Sequence, residues 1–146
     1  DIFSADVVKL TSGYVLQGGA TDAPLGVFGG CEYQNTSGEV IFTRRFVSGT
    51  TTLGSANVKA YVYADPNIVY EAQFTGTPSQ ADVGKVHTIS TTAGDTNNNR
   101  SKEGVTTTTA SGIAKLVAYV DRPDNSANAQ YARGYFIFPA STYGND

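Results

Sequence analysis

The chain has 146 residues, 40% of them hydrophobic and only 16% charged, with a net charge of −3. A single domain of this length buries roughly 68–70% of the surface its unfolded chain exposes, and folds without metals or disulfides. A pI near 5.0, with Arg44-Arg45 as the only adjacent basic pair, argues against nucleic acid or an anionic membrane as partner, since both need clustered Lys and Arg, and no apolar run approaches the ~18 residues of a membrane span.

Strand signals dominate from the start. Residues 7–10 and 14–17 flank Thr11-Ser12-Gly13, a hairpin turn. Gly18-Gly19 ends the second strand and Asp22-Ala23-Pro24 makes another turn. Residues 25–33 form a glycine-rich strand, in which Gly26, Gly29 and Gly30 point to a bulge or a close backbone approach. A turn over 35–38 leads into a strand over 40–47. Residues 58–63 alternate, with Val58, Ala60 and Val62 on one face and Lys59, Tyr61 and Tyr63 on the other. After Asp65-Pro66-Asn67, residues 68–74 place Ile68, Tyr70, Ala72 and Phe74 together, opposite Val69, Glu71 and Gln73. One helical turn is expected over 77–84, where Thr77 caps, Pro78 opens and Gly84 terminates.

Strands resume over 85–91, 112–120 and 131–138. Between the first two, residues 93–104 are polar and bounded by glycine, which reads as an exposed, mobile loop. The expected fold is all-β: one compact domain over 1–146, a barrel or sandwich of roughly eight short antiparallel strands. Its predicted core is Val7, Leu10, Val15, Leu25, Val27, Val62, Ile68, Val117 and Ile137.

Little in the sequence supports catalysis. His87 is the only histidine and Cys31 the only cysteine. They cannot complete a closed zinc site, and no nucleophile elbow is present. By alternation with Val86, His87 is expected on a strand surface, and Cys31 reads as a small buried hydrophobe. Asp22, Asp65, Asp95, Asp121 and Asp124 neighbour Pro, Gly or Asn, where short carboxylates accept hydrogen bonds from following amides. Glu71 lies on a strand instead. Asp95, Asn97 and Asn99 imitate half of a calcium loop, but Arg100 stands where glycine is needed and Thr106 where a bidentate Glu is needed. No catalytic, metal or cofactor residue is therefore assigned. The chain starts at Asp1 and holds no Met, which leaves a removed or omitted leader open.

Three stretches carry a resemblance: Asp22-Ala23-Pro24-Leu25-Gly26-Val27 with the following run to Tyr33, Asp65-Pro66-Asn67-Ile68-Val69-Tyr70-Glu71-Ala72-Gln73, and Arg122-Pro123-Asp124-Asn125. Their order and spacing resemble the capsid decoration, or cement, proteins of tailed bacteriophages, over about residues 6–138. The resemblance implies a structural virion protein on the outer surface of the capsid. It would bind the major capsid protein lattice as a homo-oligomer, often a trimer in that family, and perform no chemistry. The glycosylation patterns at Asn35-Thr36-Ser37 and Asn99-Arg100-Ser101 would then be idle.

The composition fits such a role. Thr, Ser, Asn and Gly cover the surface in place of charge, a coat that costs little to desolvate against other proteins. The rival reading is a carbohydrate-binding or host-attachment module, for which the nine Tyr and seven Phe supply stacking surfaces, although Trp is absent. Residues 93–104, 122–130 and 139–146 are the segments expected to reach a partner; the tail, together with the chain start, is assigned to contact with the lattice or a neighbouring subunit, and the 93–104 loop to solvent.

Overall fold

The computed structural model describes residues 1–54 and 58–143. The fold is all-β, and the antiparallel sheets pack as a sandwich without closing into a barrel. Its strands are β1 (Ile2–Phe3), β2 (Val7–Thr11), β3 (Tyr14–Gln17), β4 (Gly26–Gln34), β5 (Val40–Thr43), β6 (Arg45–Phe46), β7 (Lys59–Tyr63), β8 (Tyr70–Gln73), β9 (Val86–His87), β10 (Ile89–Ser90), β11 (Gly104–Val105), β12 (Ala114–Tyr119) and β13 (Arg133–Ile137). The first large sheet runs β3-β2-β4-β5, with β7 also on β4, and the second runs β8-β13-β12-β9. Two ribbons, β1-β6 and β10-β11, complete the fold.

β4 organises the first sheet because it is long enough to take three partners. Val27 pairs with both Val7 and Tyr63, and Cys31 pairs with both Thr43 and Ala60. β2 and β5 therefore share one edge of β4, and β7 lies along the other. The expected close approach in this strand is at Gly26, where a Cβ would fall 2.0 Å from the Tyr63 carbonyl oxygen. No larger residue fits there.

Alternation then divides the core into two layers. Val7 packs between the sheets with Phe74, Leu116, Phe136 and Phe138. Val8, the next residue, points the other way and packs with Leu25, Phe28 and Cys31, under a cover that includes Ile2 of β1 and Phe46 of β6. Each fully buried Phe or Leu in these layers contributes about 1.5–3 kcal/mol.

Several predicted positions move. The 40–47 strand is two strands, broken at Arg44, and the 85–91 strand breaks at Thr88. The helical turn is a single 3₁₀ turn, Gln80–Asp82, entered through Ser79, whose amide and hydroxyl both donate to the Asp82 carboxylate. Of the predicted core, Val7 and Leu25 are buried, and Val15, Val27 and Val62 pack against the two layers. Leu10 is exposed toward the β2–β3 turn. Ile68 sits half-buried in the turn before β8, and Ile137 points away from the layer that Phe136 and Phe138 fill.

Val117 is exposed for a specific reason. The register of β12 on β13 shifts between Leu116 and Ala118, so Val117 is the extra residue of a bulge and is turned outward. His87 is the other reversal: it is fully buried, edge-on to the Phe74 ring. β9 pairs His87 with buried Ala114 and Val86 with Lys115, so the histidine takes the inward face that alternation alone assigned to Val86. Cys31 is buried as expected, and burial raises its thiol pKa.

Candidate functional site

One face of the first sheet carries Val40 and Phe42 from β5 and Tyr61 and Tyr63 from β7. Glu32 of β4 pairs with Phe42 on one side and Lys59 on the other, so these alternate residues project together. Where this face meets the second sheet, it is buried through Val7 and Val27. Beyond that contact it is open: Val40, Phe42 and Tyr63 are each at least 60% exposed, and Tyr61 is 45% exposed. Grouped apolar side chains at this exposure mark an interaction surface, whereas scattered ones do not.

The group is held in place. The Phe42 and Tyr61 rings lie 5.7 Å apart at a tilt, and the Tyr61 hydroxyl donates to the Glu32 carboxylate at 2.9 Å. That hydrogen bond raises the Tyr61 pKa. Gly29 has no side chain, which leaves room for the Tyr63 ring on the backbone. Gly29, Phe42, Tyr61, Val62 and Tyr63 line a depression of about 560 Å³. Tyr61 and Tyr63 stood out in the sequence, but Val40 and Phe42 did not, because their strand reads as equally apolar on both faces.

The motif residues turn out to build turns and strand ends. The Asp22 carboxylate accepts from the Gly19 amide and from Lys9, Asp65 accepts from the Asn67 amide, and Asp95 accepts from the Asn97 amide. Glu71 pairs with Arg122 at 3.4 Å and Asp124 with Arg133 at 2.7 Å. The Asn125 side chain donates to the carbonyls of Val120 and Arg133 and accepts from the Arg133 amide, tying the ends of β12 and β13 together. Beside it, a polar cleft of about 610 Å³ is lined by Glu71, Gln73, Asp124, Gln130, Tyr131 and Arg133. Tyr131 is 53% exposed and takes φ +64°, a left-handed backbone that costs a non-glycine residue roughly 1–2 kcal/mol.

The segments expected to reach outward behave differently. In the tail, Thr142 donates through its amide and hydroxyl to the Pro24 carbonyl, so this part lies along its own domain; residues 144–146 are outside the described residues. The 93–104 segment is exposed at its tip but fastened at both ends. Gly94 lies against the Phe3 ring, the Ser101 amide donates to the Ser4 carbonyl, and Glu103 is turned inward.

Glu103 was invisible as anything but a loop charge. Its carboxylate accepts from the Val7 amide at 2.7 Å and from Gln17 Nε2 at 3.1 Å. The same Gln17 nitrogen is 3.4 Å from Asp6, a fully buried residue whose carboxylate also accepts from the Phe3 amide. Burial lifts the Glu103 pKa to about 7, the Val7 amide opposes this, and the nearby Asp6 charge adds to it. Burial raises the Asp6 pKa as well. Neither carboxylate makes an ion pair among the described residues. No local pattern could have shown the pair, because residues 6 and 103 meet only in the folded chain.

Compared with known proteins, this chain matches no family model, no curated protein and no solved structure.

Proposed function

We propose that this chain is a structural virion protein that decorates the outer surface of a bacteriophage capsid, binding the major capsid protein lattice through the Val40, Phe42, Tyr61 and Tyr63 face. The exposed aromatic group is the observation that carries the reading. Tyr and Phe supply large contact area at low entropic cost, and protein interfaces are enriched in them. The fold beneath is a β scaffold, and beyond Glu32 and Lys59 on the same face a chain with only 16% charged residues has little charge to strip of water. The sequence resemblance supplies the partner. Contacts of modest individual strength suffice when an oligomer meets a repeating lattice.

The test is co-sedimentation with capsids assembled without the protein, using free coat protein as the control. Phe42→Ser and Tyr63→Ser should each lower occupancy roughly tenfold or more, as expected for central aromatic anchors, and should leave the far-ultraviolet spectrum unchanged. Wild-type protein that ignores capsids refutes decoration, and unaltered occupancy of both variants removes this face from the interface.

A carbohydrate-binding or host-attachment role is the second reading, and it uses a different surface. The polar cleft presents carboxylates, amides and an arginine around exposed Tyr131, the kind of lining that holds a sugar ring by stacking and hydrogen bonds. A glycan array with wild type and Tyr131→Ala separates the two: signal lost with Tyr131 favours the cleft, and a blank array favours the lattice.

A further inference from the structure

We propose that Asp6 and Glu103 form a proton-operated latch that fastens the 93–104 segment to the start of the chain and to β2. The geometry has three parts. First, the two carboxylates are the points at which three separate stretches meet: Asp6 holds the Phe3 amide, Glu103 holds the Val7 amide, and Gln17 of β3 reaches both. Second, the donors are all neutral: one backbone amide for each carboxylate, the Ser101 side chain beside Asp6, and the single Gln17 nitrogen that the two share, so a buried and a half-buried negative charge are left without a counter-charge. Third, among the described residues no cation lies within ion-pair distance of either.

The charged groups nearby are each engaged elsewhere or placed too weakly to neutralise the pair. The ammonium of Asp1 acts on Asp6 but is the smallest of the influences on it. Lys9 of β2 is held by Asp22, and Lys102, next in the chain to Glu103, leans toward Asp95 at 3.9 Å. The inter-sheet cavity that Glu103 lines is also lined by Glu71 of β8, whose charge is paired with Arg122. Like charges in a poorly hydrated site cannot both ionise without cost, so such a pair retains a proton well above the usual carboxylate range. With one proton on the pair, the site keeps a single charge and all its hydrogen bonds. With none, repulsion acts on the link between the segment and β2.

Opening has a clear structural meaning. The segment continues directly into Gly104 and Val105, which pair with β10 and wall the same cavity of about 190 Å³. Release of Glu103 therefore uncovers an apolar space lined by Val7, Val27, Phe136 and Phe138, while the large sheets stay paired. The latch is closed in neutral to acidic surroundings and opens toward alkaline ones.

Hydrogen exchange of the full chain at about pH 5 and about pH 9, corrected for the intrinsic pH dependence of amide exchange, reads the latch directly. Protection of the Val7 amide and of the amides over 94–104 should fall roughly tenfold or more at the higher pH, while β12 and β13 hold theirs. Glu103→Gln, which cannot ionise, should keep its protection at both values, and Asp6→Asn should shrink the pH effect through the other partner. Wild-type protection that is equal at both pH values overturns the latch. So does a Glu103→Gln or Asp6→Asn protein that loses protection with pH as wild type does.

Discussion

Gly94 lies flat against the ring of Phe3: a Cβ on Gly94 would fall 2.3 Å from the ring's Cγ. The ring has nowhere to retreat, since it is buried and the Arg45 guanidinium stands 4.9 Å from its centroid on behalf of β6. Gly94→Ala should therefore destabilise the fold by about 1–3 kcal/mol through overpacking. Phe3→Ala should cost about 3–5 kcal/mol through the cavity it leaves. Urea titration measures both, and a Gly94→Ala protein as stable as wild type would show that the 93–104 segment is not seated on the chain start.

The two-layer core makes a contrast that the sequence alone reverses. Leu116→Ala should cost about 2–5 kcal/mol, because Leu116 is fully buried between the sheets. Val117→Ala, one residue along, should change stability by less than about 0.5 kcal/mol, because the bulge holds it outside. Thermal melts of the pair decide the matter, and equal losses would place the bulge elsewhere.

Asn125 offers a test of a motif residue. Asn125→Ala removes the partners of two carbonyls and one amide at the β12 and β13 ends, for an expected loss of about 2–4 kcal/mol. Arg122→Ala, in the same motif, breaks only an exposed ion pair with Glu71 and should cost about 0–1 kcal/mol. Chemical denaturation that ranks the two the other way would assign the motif to its charges.

Stability should peak in mildly acidic solution. Asp22 and Asp82 have lowered pKa values, chiefly through their hydrogen bonds to Lys9 and Lys85. Their contribution is complete above the ordinary carboxylate pKa and is lost as pH falls through the lowered ones. Glu103 and Asp6 have raised values and act with the opposite sign. Their protonated forms favour the fold, and that advantage fades as pH climbs from the usual carboxylate range through about 7. A melting-temperature profile should therefore fall on both sides, with Asp82→Asn flattening the acid limb and Glu103→Gln the alkaline one. A profile that rises steadily to pH 8 or so would contradict the raised values.

Much of the fold was legible because strand periodicity is local. The alternation in β7 and β8 correctly separates Val62 from Tyr61 and Tyr63, and groups Tyr70, Ala72 and Phe74 on the side that packs on the core, apart from exposed Glu71. The turn chemistry of Asp65 and Asp95 was equally readable, since each carboxylate serves the amide two residues on; Asp22 serves an amide too, but that of Gly19, three residues before it. What failed was decided at a distance. Val117 and His87 depend on which strand lies alongside and in which register, and two-residue strands such as β1 and β11 have too few residues to show a period. The aromatic face was half legible: the tyrosines were noticed, but only the reach of the second sheet determines where burial stops. Asp6 and Glu103 could not be paired at all without the fold.

The hydrogen bond from Val7 to Glu103 spans 96 positions in the chain, and this sets an order of events during synthesis. β2 can form its hairpin with β3 as soon as both have left the ribosome, but its outer layer waits for β6 and its fastening waits for residue 103. Until then the nascent chain carries a half-covered sheet whose unpaired edge and bare valines invite other chains. Slow translation or crowding between those two points is where assembly would go astray, so yields of soluble protein should respond more to chaperone supply during that interval than to the final stability of the domain.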